Sequence, residues 1–146
     1  MPNHYWLVKQ EPTAYPFTQL QADGCTAWTG VRNHQARNNL AAMKVGDRVL
    51  YYHSVVGCAV VGLCEVVREA YADPTATDDR WVAVDLAPLQ ALATPVELST
   101  IKADPALQDI ALVRQSRLSV LPLEAKAYQR IIALGSDKSS GQRAIR

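Results

Sequence analysis

Arg48-Val49-Leu50-Tyr51-Tyr52-His53, followed by Ala59-Val60-Val61-Gly62-Leu63-Cys64-Glu65-Val66-Val67-Arg68-Glu69-Ala70, is the stretch from which the fold is read. In the first run Val49, Tyr51 and His53 alternate with Leu50 and Tyr52, the two-residue period of a strand. The second run is long and rich in β-branched residues, which suits a second strand. Val55-Val56-Gly57-Cys58 between them is a hairpin candidate. Gly62, inside the second strand, predicts a bulge or a close backbone approach.

Working outward, Asp73-Pro74 and Thr77-Asp78-Asp79 mark a loop, and Trp81 to Leu86 alternates as a third strand. Towards the N-terminus, Tyr5 to Lys9 is a short apolar strand that ends at Glu11-Pro12, because proline cannot continue a central strand. Phe17 to Ala22 reads as helical turns closed by Asp23-Gly24. Trp28 follows in extended chain or loop. Asn33 can cap a helix running to about Met43. Ala36, Leu40 and Met43 share the core face of that helix, while Arg37 lies on the side of Asn33. Val45-Gly46-Asp47 is a turn. Beyond Pro95, Leu98 to Lys102 reads as a short helix and Leu107 to Leu112 as another short apolar element. Ser116 to Leu121 is a last strand candidate. Pro122 suits a helix start, with the helix from Glu124 to Leu134 stopped by Gly135. These elements predict one α+β domain over residues 1–135, a partly closed barrel of strands with short helices around it. The polar tail 136–146 is expected to be disordered.

At 146 residues the chain is one domain by length, and about half of it is apolar. With 15 basic against 14 acidic residues the net charge is +1. Bulk attraction to a polyanion needs a basic face, so a nucleic-acid partner would have to be gripped locally. Cys25, Cys58 and Cys64 are odd in number and form no C-x-x-C pair, which indicates neither a disulfide framework nor a zinc site. They are expected to be small buried hydrophobes. The N-terminus lacks an apolar signal core and no run is long enough to span a membrane. A soluble, cytoplasmic monomer without metal or cofactor is the expectation.

The segment Trp28-Thr29-Gly30-Val31-Arg32-Asn33-His34-Gln35-Ala36-Arg37-Asn38 carries the strongest functional signal. It groups an aromatic, two guanidiniums and several amides around one glycine. That mix suits a pocket that stacks a flat ring, reads its edge and offers charge to a phosphate. The plainer interpretation is a buried tryptophan followed by a polar helix. Three other segments place polar groups at or near strand ends: Lys9-Gln10-Glu11-Pro12, Tyr52-His53-Ser54 and Arg114-Gln115-Ser116-Arg117. If the four segments meet, they enclose a cleft. Trp28 would stack the base, Asn33 and Ser54 would bond its edge, and Arg32 or Arg37 would hold the flanking phosphate. Lys9 and Gln10 would form one wall.

Catalytic signatures are weak. There is no G-x-S-x-G, no P-loop and no G-x-G-x-x-G. His53 with Glu65 or Glu69 is the one combination that suggests a small hydrolase or nucleotide-modifying enzyme, and it stands as the alternative.

The string Trp28 to Asn38, together with Tyr5 to Pro12 and Tyr51 to Ser54, resembles the EVE domain family. Val60-Val61-Gly62, Glu69 to Thr75, Trp81 to Asp85 and Arg117 to Leu123 agree with it, so the resemblance covers Tyr5 to Leu134. It implies a PUA-like pseudo-barrel of five or six strands surrounded by short helices, related to the YTH readers of methylated adenine in RNA. It also implies non-enzymatic binding of a modified base in DNA or RNA. The family's pocket positions fall on Lys9, Gln10, Trp28, Val31, Arg32, Asn33, Tyr52, His53 and Ser54, with Arg114 and Arg117 nearby. One departure stands out: Gln10 replaces the serine usual after the first-strand lysine.

Overall fold

The computed structural model describes residues 4–136. In chain order it contains β1 (Tyr5–Gln10), α1 (Phe17–Asp23), β2 (Thr26–Trp28), α2 (His34–Ala42), β3 (Arg48–His53), β4 (Ala59–Ala72) and β5 (Val82–Glu97). There follow α3 (Leu98–Ala103), a 3₁₀ turn (Pro105–Leu107), α4 (Ala111–Arg114), β6 (Val120–Leu123) and α5 (Ala125–Ser136). The strands form one six-stranded sheet in the order β2-β5-β4-β3-β1-β6. Among the described strands, β1 and β3 pair in parallel and the other pairs are antiparallel. A parallel pair needs a long crossover, which α1, β2 and α2 supply.

The sheet keeps two hydrogen-bonding edges, β2 and β6, so strand pairing does not close it into a full barrel. Helix α2 packs on β6 at one edge and on β5 beside the other. Asn39 Nδ2 ties it to the Val120 carbonyl at 2.7 Å. Its N-cap is Asn33, whose side chain accepts from the Ala36 N–H at 2.9 Å. Ala36, Leu40 and Met43 are fully buried, as the helical spacing predicts.

Gly62 meets both expectations placed on it. The β3–β4 register shifts beside its partner Tyr51, and the β4–β5 register shifts between Val60 and Gly62. It also receives the flat ring of Phe17: a Cβ at Gly62 would lie 2.4 Å from Phe17 Cζ. Phe17 continues to Tyr51 (ring centroids 5.3 Å apart), and Tyr51 meets Trp28 edge-on at 5.5 Å. This aromatic series is part of the buried core, and the Tyr51 hydroxyl closes it by donating to the Tyr15 carbonyl.

Trp28 ends a short strand paired with Val84, the extended chain expected of it. Four local expectations change. Strand β5 runs past Leu86 through Pro88 and Pro95. Beyond Leu86 it no longer has β2 on its other side, so β5 is there an edge of the sheet, where proline is tolerated. Pro122 sits opposite Trp6 in the edge strand β6 instead of starting a helix, for the same reason. Gly135 does not stop α5: it lies within it, and a Cβ there would come 2.6 Å from Leu92 Cδ1, so the glycine lets the helix approach β5. Cys64 is buried, but Cys58 is half-buried and Cys25 exposed, contrary to the expectation of three buried thiols. Of the tail, Ser136 ends α5 and residues 137–146 lie outside the described residues.

The β3–β4 connection has an unusual backbone. The Val56 N–H donates to the Ser54 carbonyl at 2.8 Å, and Val55 between them has φ 71°. A two-residue hydrogen bond around a positive φ defines the rare, strained form of γ-turn. For a β-branched residue such a φ is a genuine outlier, with a cost on the order of 1–3 kcal/mol.

Candidate functional site

The parallel pairing of β1 and β3 puts their C-terminal ends side by side. Lys9 pairs with Tyr52 and Gln10 with His53, and the Ser54 N–H donates to the Gln10 carbonyl at 3.0 Å. On the other flank of β1, the Lys9 N–H donates to the Ser119 carbonyl at 2.9 Å. The segment before β6 therefore lies against the same strand end. Between these flanks opens a cleft of about 470 Å³ whose lining includes Lys9, Gln10, Tyr52, Ser54, Leu112 and Arg117. That volume is of the order expected for a small-ligand site.

Lys9 is the central charge of this cleft. Its Nζ donates to the Ser116 carbonyl at 2.8 Å and stands 5.8 Å from the centre of the Tyr52 ring. Burial pulls its pKa down, against a smaller opposing effect of Cys58. Among the described residues it has no carboxylate partner, and neither has Arg117. Burial pushes the Tyr52 hydroxyl well above its ordinary range, which keeps it a neutral donor.

Two smaller concavities adjoin. One of about 340 Å³ is lined by Asn33, Gln35, Gln115 and Leu118, and shares Ser116 and Arg117 with the main cleft. The other, about 220 Å³, shares Gln10 with it and includes Tyr15, Thr26, Trp28 and Thr29. The four segments thus meet on one face, as adjoining hollows rather than as a single aromatic-walled pocket.

Several expected roles need correction. Trp28 is 6% exposed and packs on Tyr51, so in this conformation it forms a floor and has no open face for stacking. Val31 is buried in the core beside it. Asn33 spends its amide oxygen on the α2 cap. His53 Nε2 accepts from the Phe17 N–H at 3.1 Å, and burial lowers its pKa, so it is a neutral link to α1. Arg114 pairs with Asp109 at 3.5 Å on the surface and does not line the cleft. Arg37 is half-buried, and its Nε has no hydrogen-bond partner among the described residues.

Arg32 is not a free cation. Its Nη1 lies 3.0 Å from Asp73 Oδ2, and its Nη2 donates to Thr75 Oγ1 at 3.1 Å. Asp73 Oδ2 also accepts from the Gly30 N–H at 2.8 Å, while Oδ1 accepts from the Thr75 N–H and hydroxyl at 2.7 and 2.6 Å. Burial alone would raise the Asp73 pKa, but these bonds outweigh it and hold the carboxyl well below its ordinary range. Asp73 thereby fixes the Gly30-Val31-Arg32 turn that leads into α2. As a sequence feature Asp73-Pro74-Thr75 reads only as a loop. The Asp-x-Thr spacing that lets a side chain bond the backbone two residues on was its available signal.

The alternative catalytic arrangement is not assembled. In the β3–β4 register Glu65 lies opposite Arg48 and His53 opposite Ala59. Glu65 bonds Arg48 at 3.2 Å, and Glu69 accepts from the Val45 N–H at 3.1 Å. Five strand positions separate Arg48 from His53, roughly 17 Å at the usual rise.

The EVE domain family matches residues 4–134. This chain belongs to the EVE domain family. Thymocyte nuclear protein 1 from Gallus gallus is 31% identical over 92% of this chain and 69% of its own length. Among solved EVE-like structures, a Rhodopseudomonas palustris protein studied by NMR is 46% identical, with a TM-score of 0.87 over 90% of this chain and 92% of its own. The human THYN1 protein, in complex with DNA containing 5-methylcytosine, is 28% identical, with a TM-score of 0.84 over 91% of this chain and 98% of its own. A Zygosaccharomyces rouxii YTH domain, in complex with N6-methyladenosine RNA, is 13% identical with a TM-score of 0.64 over 98% of this chain and 88% of its own, which relates the EVE fold to the YTH fold and no more. Among the described residues of this EVE domain no helix is long and apolar enough to cross a membrane.

Proposed function

We propose that this EVE domain is a cytoplasmic, non-enzymatic reader of a modified base in nucleic acid. One observation carries the reading: Lys9 and Arg117, without carboxylate partners among the described residues, line a cleft large enough for a nucleobase beside Gln10, Tyr52 and Ser54. The complex of its human relative with 5-methylcytosine DNA supports it. A base would have to leave its stack to enter, because its edge cannot be examined inside a duplex. Gln10, Ser54 and the free amide nitrogen of Asn33 would bond that edge. Lys9 and Arg117 would hold the phosphates on either side, in place of Arg32. Trp28 and Val31 would support the floor, and His53 would hold it to α1.

The test is a titration of short DNA and RNA strands, single and paired, each bearing one 5-methylcytosine, one N6-methyladenosine or neither. One modified strand is expected to bind roughly tenfold more tightly than its unmodified copy, the size that apolar fit to a methyl allows. Equal binding of every modified strand and its control rejects the reading. Lys9→Met is expected to weaken modified and unmodified strands alike, by roughly 1–2 kcal/mol, and to lower the salt slope by about one. A loss confined to the modified strand would instead make Lys9 a base contact.

A further inference from the structure

The β3–β4 tip carries two exposed valines, Val55 at 71% and Val56 at 57%. Exposed single apolar residues need no explanation. These two are adjacent, and Val55 occupies the centre of the strained γ-turn. Glycine or asparagine would make that turn without strain and without exposing an isopropyl group. Neither valine belongs to the core or packs against it. The fold therefore gains nothing from the choice of residue, and the choice points to something outside the chain.

The position says what. The tip begins at Ser54, which lines the main cleft, and Val55 itself lines its mouth together with Lys9 and Arg117. An apolar point stands directly beside the cleft that would receive an extracted base. Proteins that distort a duplex insert aliphatic wedges between base steps, because a side chain restores contacts that the stack has lost.

We infer that the Val55-Val56 tip is a wedge that enters a duplex and fills the gap left by the base held in the cleft. The partner is thus a double strand, from which this EVE domain withdraws one base. The inference rests on the base-reading function proposed above. The γ-turn tightens the start of the short connection between His53 and Ala59, and both valines stand exposed on it. The rigid connection through the Ser54 N–H to Gln10 holds tip and cleft in register.

The experiment compares wild type with the double variant Val55→Gly, Val56→Ser. Each is titrated against the strands named above, paired and single, with 2-aminopurine beside the modified base to report unstacking. The variant is expected to lose roughly tenfold more affinity for the paired strand than for the single strand, and to give a smaller 2-aminopurine signal. Its melting temperature should equal or exceed that of wild type, because glycine relieves the positive φ, so the loss cannot be ascribed to unfolding. If wild type prefers a modified strand and the variant keeps the same ratio of paired to single-strand affinity, the wedge is overturned and base reading stands. If wild type prefers none, base reading fails and the wedge falls with it.

Discussion

Asp73→Ala is expected to destabilise the domain by about 3 kcal/mol, the low end of the range for breaking a buried pair, because Arg32 is itself partly exposed. Four donors lose their acceptor at once: the Gly30 and Thr75 N–H groups, the Thr75 hydroxyl and the Arg32 guanidinium. Asp73→Asn should recover little. Its amide can accept from Thr75 but would turn an N–H towards Gly30 and Arg32. The pH dependence follows from the depressed carboxyl. In the unfolded chain Asp73 titrates at its ordinary value of 3.8, and in the fold well below it. The folded state therefore favours the ionised form. That contribution is complete above the unfolded value and is lost as the pH falls towards the folded one. Urea unfolding of wild type and Asp73→Ala should show the full gap at neutral pH and a shrinking gap in acid. A gap below about 1 kcal/mol at neutral pH, or one that does not change in acid, would contradict the account. Binding is expected to suffer with stability, because the turn that Asp73 holds carries Asn33 to its hollow.

Gly62→Val should cost about 3 kcal/mol or more, beyond the usual range for overpacking. The first added carbon already lies 2.4–2.5 Å from three atoms of the Phe17 ring. That ring has little room to retreat: Phe17 is 3% exposed, its ring packs against that of Tyr51, and its N–H is fixed by His53. Gly62→Ala should cost roughly 1–3 kcal/mol by the same mechanism. The diagnostic comparison is with Phe17→Leu. If the clash is the cause, Gly62→Ala combined with Phe17→Leu will be less destabilised than the sum of the two single changes. Strict additivity would place the cost in the strand itself.

The same two residues show how unevenly the chain declares its structure. Gly62 is legible, since a glycine inside a β-branched run signals that something comes close. The partner is not, because Phe17 is remote in sequence and nothing near Gly62 names it. Asp73 is the reverse case. Its loop is plain, while its importance arises only where the chain brings Gly30 and Arg32 back to it.

The charges around the cleft follow the same pattern. Arg32, Arg114 and Arg117 are equally basic as sequence. Asp73 holds the first in a buried pair and Asp109 meets the second at the surface, while among the described residues Arg117 and Lys9 have no carboxylate partner. Which cation remains available is a matter of long-range pairing, and no local pattern contains it.

By itself the sequence determined the α+β class, the strands β1, β3 and β4, the capped helix α2 with its buried face, and the family through the Trp28 to Asn38 string. These are local properties: a period, a cap, a run of β-branched residues, a rare word. The tertiary structure alone decided that β5 continues through two prolines, that Pro122 lies in an edge strand, and that Gly135 lies inside a helix. It also decided that Trp28 is a floor and that Lys9 stands in a cleft bonded to a carbonyl, with no carboxylate partner among the described residues. In each case the outcome depends on what another segment does. A proline is tolerated where no neighbour needs its N–H, a glycine is needed where another side chain arrives, and a charge is available where no counter-charge has reached it.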